Sequence, residues 1–498
     1  MTNLKKYLVL INLKIYLFIL LYLFTFPFML LSQQIESVHE AEHNFYKNQK
    51  LEFRASEDAS TIIPLQFDKS AQTGTTIFGY LPYWEYSAAT WVLRYDILTH
   101  LAAFSWDADS LGNLSSPGGW PWTNIINNCH NYGVKVILTV VNFNSSHITG
   151  FLTDSTKKQR LFNNILSQLN TYQLDGVNID FENLNTADRG TRINNFMAEL
   201  TAFIKAGRPS SEVSFAAPAV NWAGWNFAGL ANSCDYLFIM GYDFYGSWST
   251  NTGPNAPFSG GFYNILNTVN SQYSAVVNSA PEKLILGVPY FGAEWIANTQ
   301  NEGSTISSFV KYPRFKETAV EINNHTRLWS TNYSVPWYRY PSNDKWRQIW
   351  YDDSESLALK FNLAKSKNFK GIGMWALNYD GTRTELWQTI EDIFINPSSI
   401  HGEKSELNSF ILSSVFPNPF NPITKLRVET KHHSDIVINL YNSGGMLVKQ
   451  VFSGSLSPGV VDFEIEGSNL SSGVYFAVIR AVSISGSYFK TLKLTLIK

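Results

Sequence analysis

The sequence predicts an α/β protein: a (β/α)8 TIM barrel with an α+β insertion before its last strand, followed by a small C-terminal β-sandwich. Two observations carry this prediction. Between residues 76 and 376, eight apolar runs, each about the length of a buried strand, alternate with segments whose apolar residues recur at helical spacing. Beyond Phe394 the texture changes to short runs of alternating polarity separated by turn residues, the pattern of a separate antiparallel sheet.

The eight runs are 76–81, 100–106, 134–141, 174–182, 213–218, 236–242, 284–289 and 371–376. Between the third and fourth, Leu161, Phe162, Ile165, Leu166 and Leu169 mark one face of a helix, and Leu357, Phe361 and Ala364 do the same before the eighth. Strands apolar on both faces imply a parallel sheet covered by helices. Eight repeats over about 320 residues fit a closed barrel, with a doubly wound open sheet as the alternative. Residues 75–396 therefore form the barrel domain. The segment at about 291–350 is too long for a simple strand-to-helix connection and reads as an insertion near the barrel mouth. Residues 397–412 read as a linker. The stretch 413–498 reads as the sandwich, with strands expected at 425–429, 436–441, 460–465 and 473–479.

Ahead of the barrel, Lys5 and Lys6 precede a mostly apolar run that Lys14 interrupts and that continues from 15 to 31. This reads as a signal peptide over 1–32. A membrane anchor competes with it on length, while Pro27 and the polar Ser32, Gln33 and Gln34 favour cleavage near Ser32. Residues 33–74 are polar and without sustained period, so they read as a linker or leader.

Thirty-eight basic residues against forty acidic ones leave a net charge of -2, which supplies no field to draw in nucleic acid. The chain is 45% hydrophobic and 16% charged, the balance of a folded protein. Its 15 Trp and 25 Tyr suit the apolar faces of sugars as well as cores. Cys129 and Cys234 permit one disulfide at most, and the sequence leaves open whether they meet. With no Cys/His cluster at metal-ligand spacing and no phosphate-binding glycine loop, the expectation is no cofactor and no metal.

The fourth run places Asn178, Asp180 and Glu182 on one face of a strand and Val177, Ile179 and Phe181 on the other. In a barrel the apolar set faces the helices and the polar set faces inward, with Glu182 at the C-terminal end where barrel enzymes keep their active sites. Two carboxyls confined within a few ångströms cannot both ionise freely. One stays protonated near neutral pH, as a general acid must.

Residues 175–182, Asp-Gly-Val-Asn-Ile-Asp-Phe-Glu, resemble the DxxDxDxE signature of family 18 glycoside hydrolases, the chitinases and related endo-N-acetylglucosaminidases. Other strand motifs follow in the order that this resemblance requires: Phe-Gly-Tyr-Leu-Pro-Tyr-Trp at 78–84, Met-Gly-Tyr-Asp at 240–243, Leu-Gly-Val-Pro at 286–289 and Gly-Met-Trp at 373–375. The resemblance implies hydrolysis of β-1,4 bonds in N-acetylglucosamine-containing polysaccharides by a retaining, substrate-assisted mechanism. It makes Glu182 the acid, Asp180 the residue that orients the acetamide and Tyr242 a hydrogen-bond partner of the acetamide oxygen. Trp375 becomes the floor under that sugar, with Met240 and Asp243 beside it as parts of the sixth-strand motif. Asn178, Trp84 and Trp295 join the candidate substrate-binding set, and Trp106, Asn142, Trp222 and Tyr379 lie at strand ends where sugar contacts are expected.

The chain departs from the commonest form of the family at two places. The third strand ends Thr-Val-Val-Asn-Phe at 139–143, where many members carry Ser-x-Gly-Gly. Position 178 is Asn where many chitinases carry Asp, which resembles the spore-cortex and peptidoglycan-acting branch. An amide cannot take a proton from Asp180, so the exchange removes one like charge beside it. Chitin, peptidoglycan and a catalytically silent chitin-binding lectin remain distinct readings. Retention of Asp180, Glu182 and Tyr242 favours an enzyme.

At the other end, Phe-Pro-Asn-Pro-Phe-Asn-Pro at 416–422, Asn-Ser-Gly-Gly-Met-Leu-Val at 442–448, Gly-Val-Tyr-Phe at 473–476 and the closing 490–498 resemble the type IX secretion sorting domain. That resemblance implies a secreted or surface-attached protein with the type IX secretion machinery as partner. An accessory carbohydrate-binding sandwich is the alternative. No oligomer signal stands out, so the expected state is a monomer.

Overall fold

The computed structural model describes residues 36–53, 58–89, 93–395, 411–430, 433–442, 447–483 and 486–498. The expected signal peptide and nearly all of the 397–412 linker lie outside the described residues. Among the described residues, no helix is long and apolar enough to cross a membrane. The chain divides into two units, Met1–Asn396 and Pro397–Lys498.

The first unit is built on eight parallel strands: β1 (Thr76–Pro82), β2 (His100–Ala108), β3 (Lys135–Asn142), β4 (Gly176–Phe181), β5 (Glu212–Pro218), β6 (Tyr236–Met240), β7 (Leu284–Pro289) and β8 (Gly371–Trp375). Each pairs with the next in sequence, and β1 pairs with both β2 and β8, which closes the barrel. The open-sheet alternative is excluded by that closure. Val177, Ile179 and Phe181 of β4 are buried on the outer face, where Phe181 packs its ring against Phe151 and Phe196 of the surrounding helices.

Large rings fill much of the barrel interior, with Asn178 buried among them. Phe238 packs edge-on against Tyr80 at 4.9 Å. A Cβ at Gly287 or Gly373 would come within 2.4 Å of the Phe238 ring, so the glycines in these two strand motifs are the space that this ring occupies. At the barrel floor, Glu212 of β5 binds His100 of β2 at 2.8 Å and Lys135 of β3 at 2.7 Å, tying three strands together.

The insertion before β8 is a five-stranded antiparallel sheet, with Ala293–Ala297 paired to Ile306–Lys311 on one side and to Lys345–Trp350 on the other, plus the helix Phe315–Glu321. Its core holds Trp295, Trp337 and Trp350. Cys129 and Cys234 are both buried free thiols. In the second unit, strands of a three-stranded and a four-stranded antiparallel sheet share one apolar core that includes Leu426, Ile438, Ile465 and Ile479. The four expected strands are present. Ile411–Phe416, Leu447–Leu456 and Gly486–Leu496 complete the sheets.

The segment 33–74, read from the sequence as a linker or leader without sustained period, contains regular structure. Val38–Lys47 forms a helix, here α1, with Ser37 at its N-cap accepting a hydrogen bond from the Glu40 N–H. The periodicity of this segment is polar rather than apolar. Val38, His39, Glu42, His43 and Tyr46 recur at helical spacing and form the face that α1 turns towards the mouth of the barrel.

Candidate active site

The row on β4 climbs from the barrel interior to its mouth. Deepest is Asn178, fully buried, whose Oδ1 accepts from the Tyr80 hydroxyl at 2.8 Å and whose Nδ2 donates to Ser214 Oγ at 2.9 Å. Its amide is therefore spent on β1 and β5, and the hydrogen bonds of Asp180 go elsewhere. Two residues up, Asp180 is also fully buried, with Oδ1 unpartnered among the described residues and Oδ2 2.9 Å from His39 Nδ1. At the end of the row, Glu182 is only a tenth exposed and its Oε1 lies 3.5 Å from the same imidazole nitrogen.

Burial drives the electrostatics of this pair. Loss of hydration pushes both carboxyls above the usual range, and the neighbouring Asp180 raises Glu182 further. A carboxylic acid that keeps its proton near neutral pH, set at the open end of a barrel strand, can protonate a leaving group.

Two other strands bring their side chains to the same space. After β6, the Tyr242 hydroxyl lies 2.9 Å from His39 Nε2. Asp243 follows in the left-handed region at φ 61°, held there by Asn255, which accepts from the Asp243 N–H at 3.3 Å and donates to its Oδ1 at 3.2 Å. At the end of β8, the Trp375 indole lies under the His39 ring with centroids 3.7 Å apart. Its Nε1 donates to Glu42 Oε2 at 2.9 Å, and Trp84 Nε1 donates to the Tyr379 hydroxyl at 3.1 Å. Glu182, Asp180, Tyr242, Asp243, Trp375, Trp84 and Tyr379 thus converge, and α1 lies across them.

Beyond α1 the site continues as an open cleft of about 520 Å³, lined by Glu182, Asn183, Arg189, Trp222, Trp248 and Tyr263, with Met240 and Tyr242 at its inner end. Trp222 is 47% exposed and stands edge-on to Tyr263 at 5.0 Å, an aromatic surface open to a ligand.

Other expected residues lie elsewhere. Trp295 belongs to the insertion's own core, fully buried and edge-on to Phe309 at 5.1 Å, so the expectation of a sugar contact there is corrected. Its place after the seventh strand suggested the cleft, but the insertion folds on itself and takes the ring inside. Trp106 is likewise buried against Trp120. Asn142 shapes the loop after β3, donating to Ala108 O and accepting from the Asn144 N–H.

Of the residues that sequence reasoning missed, Asp107 lies near the end of β2 and the others lie outside the strands. Asp107, Asn183 and Arg314 all reach α1, and Arg189, Trp248 and Tyr263 line the open cleft. Strand patterns give no signal for them. His39, Asp180 and Glu182 place ligand-type atoms within 4.8 Å of one another, but the 2.9 Å approach of His39 to Asp180 is a hydrogen bond and accounts for the cluster.

A closed parallel barrel with a carboxyl pair at the C-terminal end of β4 is the arrangement of a barrel enzyme equipped for acid catalysis. Residues 76–380 match the model of glycosyl hydrolases family 18, and the chain belongs to that family. Residues 414–492 match the secretion system C-terminal sorting domain, of the type IX kind, so the protein is secreted or attached to the cell surface. Human di-N-acetylchitobiase is 28% identical over 265 residues, which cover 45% of this chain and 64% of that protein. The cortical fragment-lytic enzyme of Bacillus subtilis is 25% identical over 312 residues, covering 60% and 68%. The chain spans between 42% and 68% of the length of such curated relatives. Among solved structures, a family 18 chitinase from Cycas revoluta in complex with (GlcNAc)3 aligns with a TM-score of 0.58 at 22% identity, over 64% of this chain and 99% of that one. The spore cortex-lytic enzyme SleL of Bacillus cereus aligns with a TM-score of 0.53 at 20% identity, over 64% and 74%.

Proposed function

We propose that the protein is a secreted retaining glycosidase that cleaves β-1,4 bonds next to N-acetylglucosamine with help from the substrate's own acetamide. The observation that carries this reading is the space between Trp375, Asp180 and Tyr242. It holds a flat ring, that of His39, with one polar atom on Asp180 and the other on Tyr242. An acetamide is also planar and offers an N–H and a carbonyl oxygen at its two edges.

With sugar in place, Asp180 accepts from the acetamide N–H and Tyr242 donates to its oxygen, which aims that oxygen at the anomeric carbon. Glu182 gives its proton to the glycosidic oxygen as the bond breaks. The acetamide oxygen closes on the anomeric carbon as an oxazolinium, whose positive charge Asp180 offsets. Glu182, now ionised, takes a proton from water as that water opens the ring, and the product keeps the β configuration. Trp375 supplies the apolar floor.

Peptidoglycan is the second substrate reading, supported by Asn178 and by the similarity to the cortical fragment-lytic enzyme. A silent lectin is disfavoured because the acid is present. The test is hydrolysis of N-acetylglucosamine oligomers and of peptidoglycan by the chain and by its Glu182→Gln variant. Turnover that the variant lacks is expected, and sugar binding without turnover by both would overturn the reading.

A further inference from the structure

Helix α1 covers the groups to which catalysis is assigned, and it does so with a matched set of contacts. His39 is fully buried on Trp375. With Asp180 ionised, the tautomer that satisfies both partners carries its proton on Nδ1, donating to Asp180, and accepts from the Tyr242 hydroxyl at Nε2. This donor and acceptor order is that of an acetamide. The Val38 N–H donates to Asp243 Oδ2 at 2.8 Å. Glu42 takes the Trp375 indole N–H and the Tyr379 hydroxyl, the latter at 2.7 Å. Around the edge, Glu40 accepts from Asn183 at 2.8 Å, His43 and Lys47 reach Asp107 at 3.1 and 2.6 Å, and Tyr46 stacks on Trp84 at 4.7 Å while accepting from Arg314.

A ten-residue helix is marginal alone in water, so its order depends on this seat. The seat is polar and aromatic, unlike the apolar face by which a structural helix joins a core. Sugar and α1 cannot occupy it together.

We propose that residues 36–47 are a built-in inhibitor, with His39 standing where the reacting sugar's acetamide binds, and that the enzyme is latent until this segment is displaced or removed. The proposal rests on the glycosidase reading for its consequence, though not for its geometry. A tether of this kind gives an effective concentration on the order of 1 mM. A segment that binds in trans with a Kd of about 100 µM would then occlude roughly nine sites in ten.

The test compares the full chain with its His39→Ala, Glu42→Ala and doubly substituted variants, whose substitutions lie on α1 outside the barrel strands. The substrate is the N-acetylglucosamine tetramer. The double variant is expected to gain about tenfold in kcat/KM, mostly through KM, and a synthetic peptide of residues 36–53 is expected to inhibit it competitively, whereas the same peptide with His39→Ala does not. Variants no more active than the parent, with a peptide inert at millimolar concentration, would overturn the proposal. If no chain turns over, the glycosidase reading falls, and tetramer binding followed by tryptophan fluorescence decides the inhibitor separately. Tighter binding by the double variant supports it, and equal binding overturns it.

Discussion

At the scale of single residues, the proposed mechanism rests on the proton of Glu182 and on the uncharged Asn178 beneath Asp180. Replacing Glu182 by Gln keeps the shape and removes the proton, so kcat is expected to fall by about 10²–10⁴ while affinity for an N-acetylglucosamine oligomer is retained. Steady-state rates and calorimetry check both halves. At position 178 an Asp would place a second carboxyl below Asp180. Like charges raise the pKa of a carboxyl, so the acid limb of the rate profile, set by ionisation of Asp180, is expected to move to higher pH in Asn178→Asp. An unchanged rate-pH curve would contradict this. The alternation on β4 makes these residues legible in the sequence itself, because period two puts every second side chain on one face. It does not show that Asn178 spends its amide on Tyr80 and Ser214, since those partners come from other strands.

Elements differ in how openly the sequence declares them. The barrel strands are apolar runs bounded by turns, and all eight are readable within a few residues. α1 is not, because apart from Val38 its periodic face is made of His, Glu and Tyr, which hydropathy scores as surface. Its partner is a polar cleft, so the usual apolar signal is absent. Trp295 fails in the opposite sense: a ring at the right distance after a strand reads as a sugar platform, but an insertion with its own core claims it. Within the helix Ser354–Ser366, Lys360 is fully buried and paired with Asp352 at the end of the insertion. Removing one partner leaves an uncompensated buried charge, so Lys360→Met is expected to cost about 3 kcal/mol or more in urea unfolding. Lys360→Met combined with Asp352→Leu is expected to recover most of that loss.

For the whole molecule, the barrel floor contributes to stability in acid. Burial alone would raise Glu212, but His100 and Lys135 outweigh it and hold its carboxyl well below the usual carboxylate range. A depressed carboxyl stabilises the fold above its unfolded pKa of about 4.3, and that contribution is lost as pH falls through the folded value. Glu212→Gln is therefore expected to lower stability near neutrality and to flatten the pH dependence of thermal unfolding below about pH 4.5. The two-unit organisation gives another expectation: deleting residues 413–498 abolishes secretion and leaves hydrolysis by the barrel intact. Catalysis needs no metal in this scheme, so a chelator is expected to leave the rate unchanged.

In the proposed mechanism, acetamide-assisted cleavage takes place between Glu182, Asp180 and Trp375. It is tested most directly by following the N-acetylglucosamine tetramer by proton NMR with the His39→Ala/Glu42→Ala chain. The β anomer is expected to appear first and to mutarotate later, with no cleavage when Glu182→Gln is added. First appearance of the α anomer, or equal cleavage by the Glu182→Gln chain, would contradict it.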